Sequence, residues 1–214
     1  MIAALLMLAA APPMTAVDAE RAFARDASRI GQWSAFRKWA DHDAVMFTPQ
    51  AVWATTFLKK LKDPPRSISW RPLDSYVSCD GRTAVNSGPW FTQDGGPGGT
   101  FTTVWQRTNR GWRWVYDGGT PILPKQWSRT TVRIHRATCG SHPSGAPVAK
   151  PPKLTPNQAR TTPEDNGRGE SADKTLGWDW KVTPTGARTL RVFLWMKGRY
   201  AEVIHATDPA PKRR

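Results

Sequence analysis

Apolar residues recur at helical spacing in the first quarter of the chain and alternate with polar ones afterwards. Phe23, Ala27 and Ile30 lie four and three residues apart, which is one face of a helix, so a helix is predicted from about Val17 to Ile30 with Gly31 as its stop. Trp33, Phe36 and Ala40 give a second, short helix, and Ala44–Phe47 is strand-like. Pro49 to Leu61 reads as a third helix, with Pro49 near its first turn and Trp53, Phe57 and Leu61 on one face. After Pro64-Pro65 the pattern turns to period two, and strands are predicted at Ser67–Arg71, Ser75–Cys79, Ala84–Phe91, Thr100–Arg107 and Trp112–Asp117. Asp80-Gly81, the Gly95–Gly99 run and Asn109-Arg110-Gly111 supply the turns between them. The expected class is therefore α+β: N-terminal helices packed on one side of a curved antiparallel sheet.

A second strand set follows a break. Gly140 to Asp173 holds six prolines and almost no large apolar residue, so 125–175 is expected to be an extended or disordered linker. Leu176–Val182, Leu190–Met196 and Tyr200–Ala206 then form a three-stranded meander, and 207–214 a basic tail. About thirty residues make a poor core of their own, so the meander is expected to dock on the first domain. Gly111-Trp-Arg-Trp-Val115 is weakly echoed by Gly177-Trp-Asp-Trp-Lys-Val182.

The start of the chain bears on compartment. Ile2 to Ala11 is an apolar run of ten followed by Pro12-Pro13, half of what a bilayer-spanning helix needs. It reads as the apolar core of a signal peptide covering 1–19, with small residues at Val17-x-Ala19 or Ala9-x-Ala11 for the cut, although no Lys or Arg precedes it. The destination would be the periplasm or the exterior. The two cysteines, Cys79 and Cys139, agree with export if they pair; the alternative is two buried thiols. A bridge would close a loop worth about 4 kcal/mol in the chain-entropy model.

Charge changes the picture further. The 31 Lys and Arg against 17 Asp and Glu leave a net charge of +14, most of it beyond residue 124. Arginines interleaved with 12 tryptophans invite a nucleic-acid reading. The aromatic residues fall in strands that should be core, and export removes most nucleic acid, so that partner is set aside. The Pro211–Arg214 tail would rather touch anionic envelope surfaces, or simply be solvated.

Four blocks carry a family resemblance: Ala19-Glu-Arg-Ala-Phe-Ala-Arg-Asp-Ala27, Trp39-Ala-Asp-His-Asp-Ala-Val-Met-Phe-Thr-Pro49, Ser87-Gly-Pro-Trp90, and Phe101-Thr-Thr-Val-Trp-Gln-Arg107 with Gly111-Trp-Arg-Trp-Val115. With the order helix, short helix, strand, helix and antiparallel strands, residues 17–120 resemble the nuclear transport factor 2-like cone fold, in particular its SnoaL-like bacterial branch. The resemblance implies a domain over 20–124 whose sheet wraps a pocket closed by the first helices, and a homodimer through the sheet's outer face. Members include isomerases, cyclases and dehydratases as well as domains without known activity. The residues of the steroid-isomerase-like members are not matched. Their general-base Asp aligns with Thr48, their oxyanion acid with Thr103 and their first-helix Tyr with Phe23, and a hydroxyl does not replace a tuned carboxylate.

Other chemistry is sparse. Alternation places Thr103 with Trp105, and Trp112 with Trp114 and Tyr116. With Phe23, Thr48, Trp53, Phe57 and Trp90 these either line a cavity for a flat apolar ligand or fill it. Asp43 and Asp117 are the candidate carboxylates for acid–base work, each with a plainer role as a cap or turn residue. His135, Cys139 and His142 have loosely zinc-like spacing but no fourth ligand, so neither a metal nor a cofactor is expected. Ser171-Ala-Asp-Lys174 matches S-x-x-K at the linker's end and no stronger nucleophile motif occurs. The expected function is an exported, non-catalytic module that binds a small apolar or aromatic ligand or a partner. The alternatives are a SnoaL-like lyase, isomerase or hydrolase using a pocket Asp, and a structural envelope protein.

Overall fold

The computed structural model describes residues 15–121, 129–140 and 165–211. Helix α1 spans Ala16–Ile30. Thr15 caps it: its hydroxyl accepts from the Asp18 amide while the Asp18 carboxylate accepts from the Thr15 amide, a reciprocal box worth about 1 kcal/mol. Gly31 stops it at φ 103°, and α2 runs over Gln32–Trp39. Strands β1 (Ala40–Phe47) and β2 (Ala51–Trp53) form a hairpin, followed by the one-turn α3 (Ala54–Leu58). The predicted 49–61 helix is thus mostly not one. Pro49 sits in the β1–β2 turn behind a cis peptide bond, Trp53 ends a strand, and only Phe57 and Leu61 pack on the helix side.

Strands β3 (Ser69–Trp70), β4 (Asp74–Val77), β5 (Thr83–Phe91), β6 (Pro97–Thr108) and β7 (Gly111–Thr120) follow. They pair in the order β2-β1-β7-β6-β5-β4, and β8 (Arg133–Arg136) adds a parallel edge beside β4. A second sheet comprises β9 (Asn166–Glu170), β10 (Leu176–Val182), β11 (Arg188–Met196) and β12 (Arg199–Asp208), in the order β12-β11-β10-β9. Strands β8 and β9 fall in the segment expected to be linker: each is short, polar and held by its neighbour's backbone, so no apolar alternation announces it. Gly167 and Gly169 in β9 lie under the indoles of Trp180 and Trp178, and a Cβ on either would sit 2.6 or 2.2 Å from a ring atom. β12 carries the chain to Asp208, so the expected tail begins inside a strand.

The result is three layers. Phe23, Ala27, Phe36 and Trp39 of the helices pack on Ala84, Phe101, Trp105 and Trp114 of the larger, curved sheet. On the opposite face Val45, Val85, Val104 and Tyr116 meet Leu176, Trp178, Trp180, Leu190, Val192 and Leu194 of the second sheet. The sheet face through which the resemblance implies a homodimer is therefore covered by the chain's own C-terminal strands. Cys79 and Cys139 form a disulfide with Cα atoms 5.4 Å apart. It stands where the sheets meet: the Cys79 amide donates to Thr175 Oγ1 at 2.8 Å, and the Thr138 amide to the Trp195 carbonyl at 2.8 Å. Among the described residues no helix is long and apolar enough to cross a membrane.

Candidate functional site

Among the described residues, the helix side of the larger sheet holds two carboxyls that no cation touches, Glu20 and the half-buried Asp117. Glu20 comes from α1, one turn before Phe23, on the same face as Ala16, Ala19 and Ala27. It is fully buried. Three donors from three strands converge on it: Trp70 Nε1 at 2.8 Å, Trp105 Nε1 at 2.6 Å and Asn86 Nδ2 at 3.3 Å. Burial pushes its carboxyl up to about 8; these hydrogen bonds hold it back, and the nearby Asp117 charge adds to the rise.

Asp117 reaches the same side through a bulge. Trp105 pairs with Trp114, but Val104 pairs with Tyr116, so Val115 is an extra residue in β7. One extra residue inverts the alternation beyond it. Tyr116 therefore points into the packing between the sheets and not into the helix-side interior with Trp112 and Trp114. Asp117 points inward in its place and accepts from Thr103 Oγ1 at 2.9 Å. Burial raises its carboxyl to about 6, against the pull of the Thr103 hydrogen bond and of Arg188.

A cavity of about 190 Å³ opens beside Asp117, walled by Trp33, Phe36, Trp70, Trp90 and Phe101. Trp90 Nε1 is buried and has no acceptor. Of the residues expected to line the pocket, Trp90 does so and Thr103 holds Asp117 in place. Phe23 lies behind the wall, its ring centroid 4.7 Å from Trp70 and 4.8 Å from Phe36. Trp105 and Trp114 are solid core, and Phe57 packs at that core's margin. Thr48 is exposed in the β1–β2 turn, and Trp53, like Tyr116, packs on the opposite face of the sheet. Asp43 is also exposed, paired with His42 Nε2 at 3.1 Å on the surface, far from acid–base duty in the interior.

Sequence reasoning missed Glu20, Trp70, Phe36 and Phe101. Glu20 left a signal: it is an acid on the apolar stripe of an amphipathic helix, three residues before Phe23. The metal reading loses Cys139 to the disulfide; His135 Nε2 is instead bonded to Asp74 at 3.2 Å, and His142 lies outside the described residues. Among the described residues no group of three or more His, Cys, Asp or Glu is placed to hold a metal ion. Ser171 Oγ is bonded to Asp173 and the backbone of Leu176, as a turn residue.

No protein-family model matches the sequence, and no curated protein matches it significantly. Two solved structures are similar in part. One, described as an aromatic ring hydroxylase from Novosphingobium aromaticivorans, is 16% identical over 50% of this chain and 86% of its own, with a TM-score of 0.36. The other, described as a calcium/calmodulin-dependent protein kinase II association domain from Xanthomonas campestris, is 14% identical over 55% and 95%, with a TM-score of 0.33. Likeness at this level says nothing about what this chain binds or does.

Proposed function

We propose that this chain is an exported domain of the nuclear transport factor 2-like cone type that binds a small, flat, largely apolar ligand carrying a hydrogen-bond donor. One observation carries the reading: an aromatic-walled cavity with a single carboxyl, Asp117, at its side. A cavity of about 150 Å³ accommodates benzene, so 190 Å³ suits one or two rings. The carboxyl fixes orientation, as the few polar groups of apolar pockets do. The cone assignment is supported by helices on one face of the curved sheet, with Glu20 of α1 anchored to strands β3, β5 and β6. Export is supported by the disulfide and the apolar N-terminal run. A cut after Ala19 would remove the Thr15 cap and the buried Ala16, Val17 and Ala19, whereas a cut upstream of Thr15 would leave them.

Calorimetric titration with 1-naphthol tests the binding reading. The expected dissociation constant is on the order of 100 μM for a ligand of that size. Replacing Asp117 by Ala should weaken it about tenfold through the lost hydrogen bond. Absence of saturable binding to the intact protein overturns the proposal.

A second reading, acid–base catalysis, is favoured by the Asp117 carboxyl itself. Raised to about 6, it is an effective proton acceptor near neutral pH. Glu20 is sealed from the cavity by its indole partners, so it supports the site and does not meet a ligand. Catalysis would show as turnover that Asp117→Asn abolishes while ligand affinity persists.

A further inference from the structure

We infer that the aromatic cavity is one half of a longer site, whose other half holds a ligand carboxylate on Arg188. The inference rests on the binding reading above and extends it to an elongated ligand, with rings at one end and a carboxylate at the other. A second cavity, of about 410 Å³, lies against the β1–β2 turn and the end of β12. Met46, Asp117, Gly118 and Gly119 line both spaces, so the cavities meet at Asp117. Neither glycine has room for a side chain. A Cβ on Gly118 would lie 2.9 Å from the Tyr116 hydroxyl, and one on Gly119 would lie 3.2 Å from Trp90 Nε1.

The second cavity is mostly apolar, walled by Phe47, Pro49, Pro121 and Pro211. Among the described residues Arg188 is the one cation lining either space. It is a built feature of the site, not a surface side chain. Only 9% of it is exposed, and its guanidinium sits 4.3 Å from the centre of the Phe47 ring. Nη2 donates to the Gly119 carbonyl at 2.7 Å and to Asp208 Oδ2 at 3.0 Å. Both bonds leave from one nitrogen of a group that carries five N–H donors. A planar, pre-oriented guanidinium is the group best suited to grip a carboxylate through its remaining edge. The bond to the Gly119 carbonyl also fixes Arg188 to the passage between the cavities. Asp208 already occupies one Nη2 position, so it competes with an incoming carboxylate.

Three probes with one skeleton test this by calorimetry on the full chain: 4-phenylbutanoate, 4-phenylbutanamide and 4-phenylbutylamine. The acid should bind about tenfold more tightly than the amide, as a charge-assisted contact requires. Arg188→Gln should bring that ratio to about one. Asp208→Asn, which removes the competing carboxylate while keeping the side chain's shape, should tighten the acid several-fold. This second variant keeps the test decisive if Arg188→Gln does not fold. Equal affinity for acid and amide, a preference for the amine, or weaker acid binding in Asp208→Asn overturns the inference. If 1-naphthol binds and none of the three does, the aromatic pocket stands and the joined site falls. If nothing binds, both fail.

Discussion

The two faces of the larger sheet are packed by different rules. On the face toward the second sheet the contact is mainly apolar, with Val45, Val85 and Val104 against Leu176, Val192 and Leu194, and polar groups such as Tyr116 and Arg188 are few. On the face toward the helices the core contains Glu20, Asn86 and Thr103, with the half-buried Asp117 beside them, together with indole nitrogens of Trp90, Trp112 and Trp114 that find no acceptor among the described residues. Packing alone explains the first face. It does not explain the second, because buried carboxyls and orphaned donors cost stability, and a core built only for packing has no use for them. The comparison teaches where to look for function: the face that tolerates this cost is the face with the aromatic cavity.

The largest expected effect concerns the junction of the two sheets. Replacing both Cys79 and Cys139 by Ser opens a loop of 60 residues and should lower stability by about 4 kcal/mol in denaturant unfolding. Next comes the packing face itself. Leu194 is fully buried, and Leu194→Ala should cost about 3 kcal/mol at pH 5 and pH 8 alike.

The helix face should behave differently with pH. The Glu20 carboxyl lies at about 8 in the fold against an ordinary 4.5, so between those values the folded chain keeps a proton that the unfolded chain has lost. Its contribution is complete below pH 4.5 and is lost as pH rises through 8. Asp117 acts in the same direction between 3.8 and about 6. Thermal unfolding should therefore show stability declining from mildly acidic to mildly alkaline pH. Glu20→Gln should flatten that decline above pH 6, and an unchanged slope would remove the distinction between the faces. The smallest effect is on ligand affinity. The apparent binding of 1-naphthol should change about tenfold or less across pH 6 as Asp117 ionises, and Asp117→Asn should erase that change while leaving the fold intact.

How much of this was legible in the sequence depends on whether period or register decided it. The first helix and strands β5 to β7 follow from spacing, since Phe23, Ala27, Trp105 and Val104 each sit on the face that their period assigns. The Pro49–Leu61 segment misled because Trp53, Phe57 and Leu61 fit a helical face by chance, while the turn at Pro49 and the pairing of Ala51 with Phe47 decide the backbone. β8 and β9 gave no apolar signal because they are edges held by backbone hydrogen bonds to β4 and β10. The candidate site was half legible. Asp117 was among the candidates, but its inward direction rests on one extra residue, Val115, that alternation cannot reveal. Glu20 was readable as an acid on an apolar stripe, yet its partners Trp70, Trp105 and Asn86 come from strands 50 or more residues away.

Two carboxyls, Glu20 and Asp117, lie beside the aromatic cavity, and Asp117 is the one that faces it. The most direct measurement is a carboxyl carbon-13 NMR titration of Glu20 and Asp117, with and without 1-naphthol. The expected midpoints are about 8 for Glu20 and about 6 for Asp117, with the Asp117 midpoint moved by the ligand and the Glu20 midpoint much less affected. Midpoints near 4 for both groups, or an Asp117 signal indifferent to the ligand, would contradict this placement.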